Sequence, residues 1–149
     1  MDDKKLQAPP LSLLDRYRGR DFHPLYTTTV TVSGGETGHG RGLGSTLNIP
    51  VKANTAATEQ KRSFDAAIEE ISTKIKPDII FISAGFDAHL TDPLGQLRLE
   101  DTDYVSMTST VKQWADDVCS GRIVSCLEGG YNLETLGPTV AAHVAELAR

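Results

Sequence analysis

The feature that most constrains the fold is an apolar run, residues 79–82, that leads directly into Ser-Ala-Gly-Phe-Asp-Ala-His at residues 83–89. The run has no polar alternation, which is typical of a strand buried on both faces in a parallel sheet. Small residues at 83–85 allow a tight turn at the strand end. In open α/β sheets, ligands bind beyond the carboxyl ends of the strands. Asp87 and His89 are therefore either site residues or polar residues that only cap a loop.

Helical patterns lie on both sides of this strand. Apolar residues recur at helical spacing from Thr58 to Lys76 and from Thr102 to Cys119. A second apolar run, residues 122–127, leads into Glu-Gly-Gly-Tyr-Asn. A last helix has Leu136, Val140, Val144 and Leu147 on one side, and Gly137-Pro138 predicts an interruption with a new start near Pro138. This order predicts an α/β protein with a mostly parallel, helix-flanked sheet.

The segment before the first helix gives weaker signals. We expect residues 1–21 to be poorly structured, residues 27–32 to be a strand or extended loop, and residues 45–51 to be a short strand ended by Pro50. Half of the residues from 33 to 44 are glycine, which predicts a surface loop. A phosphate-binding loop is the alternative, although no Gly-Lys-Ser/Thr signature is present.

Composition excludes several classes of protein. A chain of 149 residues fits one domain, and its net charge of −5 without a basic cluster argues against a nucleic-acid partner. No apolar stretch is long enough for a membrane span, and the charged N-terminus lacks the apolar core of a secretory signal. We therefore expect an intracellular, cytoplasmic protein. Cys119 and Cys126 are too few for a disulfide framework or a zinc knuckle.

Three motifs together resemble a known family. They are the sequence at residues 83–89, Asp-Pro-Leu-Gly at residues 92–95 and Leu-Glu-Gly-Gly-Tyr-Asn-Leu at residues 127–133. This set is similar to the C-terminal half of the zinc-dependent histone deacetylase and acetylpolyamine amidohydrolase family, with a Leu-Glu-Gly-Gly-Tyr form closer to the class II and bacterial branch. The resemblance covers residues 22–149. It implies part of a sheet of the arginase/deacetylase type.

The resemblance also implies roles for individual residues. The family's aspartate at the position of Asp87 is a ligand of Zn²⁺, and its tyrosine at the position of Tyr131 donates a hydrogen bond to the substrate carbonyl. Gly85, Gly129 and Gly130 would permit close backbone approach around the metal. His89 would lie at the rim of the site, His23 would line the substrate tunnel, and Asp92 would brace its own turn. The implied substrate is an acetylated amine, either acetyl-lysine or an acetylpolyamine.

The sequence departs from the family pattern upstream of the glycine-rich loop. The family's N-terminal half carries an Asp-x-His ligand pair and a His-His pair for acid/base catalysis, and neither pair is found here. We therefore expect an incomplete active site with the N-terminal half missing. An incomplete sheet leaves an edge and a face uncovered, which predicts a homo-oligomer. The alternatives to an enzyme fragment are a non-catalytic, self-associating module of this fold and an unrelated nucleotide-binding domain. His39 and His143 are interpreted as solvated residues.

Overall fold

Helices and strands alternate along most of the chain. The structure is a computed structural model that describes residue 35 and residues 37–149. The elements are α1 (Ala57–Lys74), β1 (Ile80–Ala84), α2 (Asp101–Cys119), β2 (Ile123–Leu127) and α3 (Leu133–Leu147). These bounds confirm the elements that the apolar spacing predicts. The predictions for residues 1–21, for residues 27–32 and for His23 lie outside the described residues.

The two strands pair in parallel and end at the same level. Ile80 lies opposite Ile123, and Ala84 lies opposite Leu127. The loops that follow β1 and β2 therefore both begin at the carboxyl-terminal end of the sheet. This arrangement confirms an α/β fold with a parallel sheet, and it brings together two segments that are far apart in the chain.

The core lies between one face of this sheet and the helices. Ile80 packs with Ile68 of α1 and with Val111 and Ala115 of α2 in one buried cluster. A second cluster joins Ala84 at the end of β1 to residues of the following loop and α2. Helix α2 packs against both α1 and α3. The helices therefore hold the two strand ends in place from a single side.

The other face of the sheet corrects one prediction. We expected strands buried on both faces, but Phe81 is 50% exposed and Val124 is 38% exposed. Side chains alternate between the faces of a strand, and the alternate residues Ile80 and Ile82 point to the helices. Among the described residues, no helix or strand covers the face that carries Val124. The apolar run was therefore a correct indication of a strand, and the described residues cover one of its two faces.

Helix α3 corrects a second prediction, because it continues through Pro138 without interruption. A proline removes only one helical hydrogen bond, to the residue four positions before it, and packing of the helix face can offset that loss. The buried residues of α3 are Thr139, His143 and Glu146, whereas Val144 is 53% exposed. Leu136 and Val140 of the predicted apolar side pack against the core as expected, but the most buried positions of α3 are polar.

The described residues before α1, which are residue 35 and residues 37–56, contain no regular strand. Residues 45–51 form no sheet ladder, so the predicted strand is wrong. The described part of the glycine-rich segment contains a short 3₁₀ helix at Gly40–Gly42. Phosphate loops lead into a helix N-terminus, but α1 begins only at Ala57. Within the described residues, no helix has the length and apolar character that a membrane crossing requires.

Candidate active site

The carboxylate of Asp87 lies against the backbone of both strand-end loops. A Cβ atom at Gly129 would lie 2.6 Å from Asp87 Oδ2, and one at Gly85 would lie 3.0 Å from Asp87 Oδ1. The Phe86 amide also donates a hydrogen bond of 2.8 Å to the Gly129 carbonyl. Among the described residues, no donor makes a hydrogen bond to the Asp87 carboxylate. Its oxygens therefore remain available to a ligand.

The phenol of Tyr131 lies two residues beyond this contact. Tyr131 is 51% exposed, so its side chain extends from the strand ends towards solvent. Gly130 has φ +133, and a Cβ there would lie 2.5 Å from Leu136 Cδ1 and 3.1 Å from Phe86 Cβ. No residue with a side chain fits that position without strain. The chain thus needs glycine immediately before Tyr131.

Asp92 connects the two loops. Its Oδ1 accepts hydrogen bonds from the Leu94 amide at 2.8 Å and the Gly95 amide at 2.9 Å, which confirms that it braces its own turn. Its Oδ2 accepts a hydrogen bond of 2.7 Å from the Tyr131 amide. Burial raises the pKa of this carboxyl, but the backbone N–H groups outweigh burial and hold the pKa below its usual value of 3.8. Asp92 is therefore charged and directly bonded to the residue that carries the phenol.

His89 is buried inside the first loop and does not lie at an exposed rim. Its Nδ1 accepts a hydrogen bond of 3.2 Å from the Thr91 amide and lies 2.9 Å from Thr91 Oγ1. Its Nε2 lies 3.6 Å from Asp101 Oδ1 on α2. Protein atoms therefore face both ring nitrogens. Since Nδ1 accepts a backbone hydrogen, the neutral ring carries its proton on Nε2.

Two residues near Asp87 were missed by the sequence reasoning. A Cβ at Gly95 would lie 1.6 Å from the Asp87 carbonyl oxygen, so the Asp-Pro-Leu-Gly segment packs directly onto Asp87. Tyr104 of α2 is buried, and its pKa is raised by burial and by the negative charges of Asp87 and Asp92. The glycine of the motif was a signal that we interpreted only as a turn. Tyr104 gave no signal beyond its place on a helix face.

His143 is buried, so the prediction of a solvated residue is wrong. Its Nδ1 lies 2.7 Å from Thr108 Oγ1 of α2, and its Nε2 lies 2.9 Å from Ser125 Oγ of β2. Its ring meets Phe86 edge-on, with ring centres 5.6 Å apart. Burial lowers the pKa of His143. His39, by contrast, is exposed as predicted.

The described residues fit one ligand of a zinc site and not a complete site. Catalytic zinc is usually held by three protein ligands, and carboxylate oxygen is one of the accepted types. Asp87 can serve as one such oxygen ligand, because its carboxylate accepts no hydrogen bond from the described residues. In the part of the chain that the structure describes, no three His, Cys, Asp or Glu side chains are grouped to hold a metal ion.

Comparison with known proteins identifies the family. The model of the histone deacetylase domain matches residues 7–147. The chain belongs to the histone deacetylase family. This histone deacetylase family member is 42% identical over 106 residues to histone deacetylase 14, chloroplastic, from Arabidopsis thaliana, covering 71% of this chain and 25% of the relative. It is 40% identical over 111 residues to a probable deacetylase from Archaeoglobus fulgidus, covering 74% of this chain and 30% of the relative.

Solved structures of the histone deacetylase family agree with the fold. The HD domain of HDA15 matches with a TM-score of 0.70 at 30% identity, covering 80% of this chain and 33% of that chain. An acetylpolyamine aminohydrolase from Burkholderia pseudomallei matches with a TM-score of 0.69 at 24% identity, which supports the fold alone. These matches confirm the family resemblance and the sheet of the deacetylase type. The chain spans only a quarter to a third of the length of these relatives.

Proposed function

We propose that this chain supplies part of the catalytic centre of a zinc-dependent deacetylase. The reaction is hydrolysis of an N-acetyl amide, with acetyl-lysine or an acetylpolyamine as the substrate class. In this proposal Asp87 is a zinc ligand and Tyr131 is the hydrogen-bond donor to the substrate carbonyl. Gly85, Gly129 and Gly130 shape the site around both residues. The family membership and the names of the relatives support the reaction type.

One observation carries the proposal. The Asp87 carboxylate accepts no hydrogen bond from the described residues, and it touches the backbone that leads to the exposed phenol of Tyr131. A half-buried carboxylate without donors is costly unless a cation or water balances its charge. The Tyr131 phenol, two residues beyond this backbone contact, offers a hydrogen-bond donor. The pair therefore fits a site where a cation is held and an oxygen atom nearby gains negative charge.

Each residue has a distinct chemical task in this mechanism. Zn²⁺, when bound, polarises the amide and lowers the pKa of the attacking water. The Asp87 carboxylate contributes an oxygen ligand and part of the negative charge that holds the cation. The Tyr131 hydroxyl donates a hydrogen bond to the carbonyl oxygen, which becomes more negative as the tetrahedral intermediate forms. Its exposure allows the phenol to meet a substrate that arrives from solvent.

Metal content tests the role of Asp87. In chains incubated with Zn²⁺, we expect Asp87→Asn to retain less of the metal than the unmodified chain, because an amide oxygen without charge is a weaker zinc ligand. The measurement is zinc per chain by elemental analysis after dialysis, together with cleavage of a fluorogenic acetyl-lysine amide. Asp117→Asn is the matched control, since Asp117 is an exposed aspartate on the remote face of α2.

The two readouts separate different failures. Equal zinc in Asp87→Asn and in the unmodified chain would remove Asp87 from the site. Zinc binding without cleavage in the unmodified chain would support Asp87 as a ligand and agree with an active site that this chain does not complete by itself. In a cleaving chain, we expect Tyr131→Phe to keep its zinc and lose activity.

The second candidate function is a non-catalytic, self-associating module of the deacetylase fold. The specific observation in its favour is that, among the described residues, no helix or strand covers the sheet face that carries Val124, whose side chain is 38% exposed. The absence of a three-ligand cluster among the described residues is compatible with it. An unmodified chain that self-associates, binds no zinc and cleaves no acetyl amide would favour this function.

Three further expectations remain part of the proposal. Self-association and the lack of a nucleic-acid partner remain predictions. The cytoplasmic location also remains a prediction, and the Arabidopsis relative is chloroplastic by name. Imaging of a fluorescent fusion in the source cells tests the location.

A further inference from the structure

The backbone of Tyr131 is held from both sides by residues of the first loop. On one side, the Tyr131 amide donates its hydrogen bond to Asp92 Oδ2 at 2.7 Å. On the other side, Asn132 Nδ2 donates to the Thr91 carbonyl and to Thr91 Oγ1, both at 2.9 Å. We call Thr91, Asp92 and Asn132 the loop bracket. These bonds connect two segments that the chain separates by the whole of α2.

The bracket is itself anchored in the fold. Asn132 is the N-cap of α3, and its Oδ1 accepts a hydrogen bond of 3.0 Å from the Glu134 amide. Thr91 donates its amide hydrogen to the buried ring of His89. Both ends of the bracket are therefore fixed, one by a helix start and the other by a buried histidine.

The charge of Asp92 is the informative detail. An aspartate that only braced a turn could be replaced by asparagine, since both side chains bond backbone amides in turns. Asp92 instead accepts three backbone hydrogens with two oxygens, and the residue is only 8% exposed. Asparagine has only one acceptor oxygen, so its NH₂ group would face an amide hydrogen. The three bonds together thus require the carboxylate.

We propose that Asp92 is the positioning residue for Tyr131, holding its backbone two residues beyond the contact of Gly129 with Asp87 so that the phenol extends from the strand ends in one direction. This inference rests on the proposed function, in which that phenol meets the substrate carbonyl. Gly129 and Gly130 precede Tyr131 and have no side chains that could hold it. The hydrogen bond to Asp92 and the contacts of Asn132 fix the backbone at Tyr131, the residue whose phenol must meet the substrate. A donor fixed before the substrate arrives stabilises developing charge without a reorganisation cost.

Hydrogen exchange tests the bracket without reference to activity. In the full chain with Asp92→Asn, we expect the Tyr131 amide to exchange at least about tenfold faster by NMR, because its acceptor is replaced by a donor. Amides within α1 should keep their protection. Asp117→Asn is the matched control and should leave exchange at Tyr131 unchanged. Unchanged exchange at Tyr131 in a folded Asp92→Asn chain overturns the proposal.

A second variant covers the case in which Asp92→Asn does not fold. Asn132→Asp keeps an oxygen to cap α3 and loses the NH₂ group that bonds Thr91. We expect faster exchange at Tyr131 in this variant as well, by a smaller factor than in Asp92→Asn. If both variants fold and neither alters exchange, the bracket does not hold Tyr131.

A double-mutant cycle separates positioning from a merely structural role. We expect Asp92→Asn to lower kcat by about tenfold with little change in KM, less than the loss of an oxyanion donor outright. In a Tyr131→Phe background, the same change should cause no further loss, since the group that it positions is gone. If Asp92→Asn lowered kcat by the same factor in the Tyr131→Phe background as in the unmodified chain, the positioning role would be contradicted. Equal zinc in Asp87→Asn and in the unmodified chain overturns the proposed role of Asp87, whereas exchange at Tyr131 decides the bracket independently of metal and activity.

Discussion

Gly129 shows how strongly the candidate site depends on single atoms. Its Cα is so close to Asp87 that one added methyl group would lie 2.6 Å from Oδ2 and 2.8 Å from Cγ. Both distances are far below van der Waals contact. The sequence Gly-Gly-Tyr therefore does more than loosen a loop, because the first glycine makes room for a carboxylate from the other motif.

The corresponding prediction compares two glycines. We expect Gly129→Ala to lower the free energy of unfolding by about 2 kcal/mol, because the methyl group displaces the Asp87 carboxylate or the loop. Gly137→Ala in α3 should raise it by about 0.5 to 1 kcal/mol, since no atom lies within 4 Å of the added Cβ and alanine favours a helix. Urea unfolding of both variants measures the difference. Equal effects of the two changes would contradict the close contact at Gly129.

At the scale of elements, His143 joins three of them. From α3 it reaches Thr108 of α2 and Ser125 of β2, so one ring links two helices to the sheet. The sequence suggested an exposed histidine because its neighbours on the helix, Ala142 and Val144, do not mark a buried polar position. Only the packing of α3 on the sheet shows that the hydroxyl groups of Thr108 and Ser125 lie on either side of the ring.

Burial of His143 predicts that stability depends on pH. Its pKa in the folded protein lies below the ordinary value of 6.5 that applies to the unfolded chain. Below pH 6.5 the unfolded chain therefore binds a proton that the folded protein does not, so stability falls as the pH decreases towards the folded pKa. The loss has a limit of about 1.4 kcal/mol per pH unit.

The measurement is urea unfolding at about pH 7.5 and about pH 5.5, on either side of the ordinary histidine pKa. We expect the difference in unfolding free energy between the two pH values to shrink in His143→Gln. It should stay unchanged in His39→Gln, because that residue is exposed. A His143→Gln chain with the full pH dependence would show that another group causes it.

The elements also show what the sequence could predict. Helices α1 and α2 and both strands were predicted because their apolar residues repeat at a period that one element imposes on itself. The second oxygen of Asp92, the contact of Gly95 with Asp87 and the burial of His143 were not predicted, because each depends on a partner distant in the chain. The interruption predicted at Pro138 was wrong because a local signal was given too much weight. The local preference of proline against a helix was real, and the packing of α3 outweighed it.

At the scale of the whole molecule, the feature with the widest effect is the sheet face that no described helix or strand covers, called here the open face. The helices cover one side of β1 and β2, while Val124 and the exposed Cys126 lie on the other. Apolar surface in such a position favours association with another apolar surface. The prediction of a homo-oligomer can therefore be tested at one strand.

A pair of valine variants makes this test. We expect sedimentation at micromolar concentration to show a dimer or larger species, and Val124→Glu to shift it towards monomer by placing a charge on the open face. Val144→Glu is the matched control, because Val144 is 53% exposed on α3, on the helical side of the sheet. A monomeric unmodified chain, or equal dissociation by both variants, would contradict association through this face.

The loop bracket limits how the two motifs can be exchanged between relatives. Thr91 and Asp92 bond Asn132 and Tyr131 directly, so neither loop has its geometry without the other. A chimaera that receives only residues 83–95 from another family member would keep its own tyrosine loop and lose the match between the two. Transplantation should succeed only when both loops travel together. The two motifs therefore form one structural unit that is encoded in two separate stretches of the sequence.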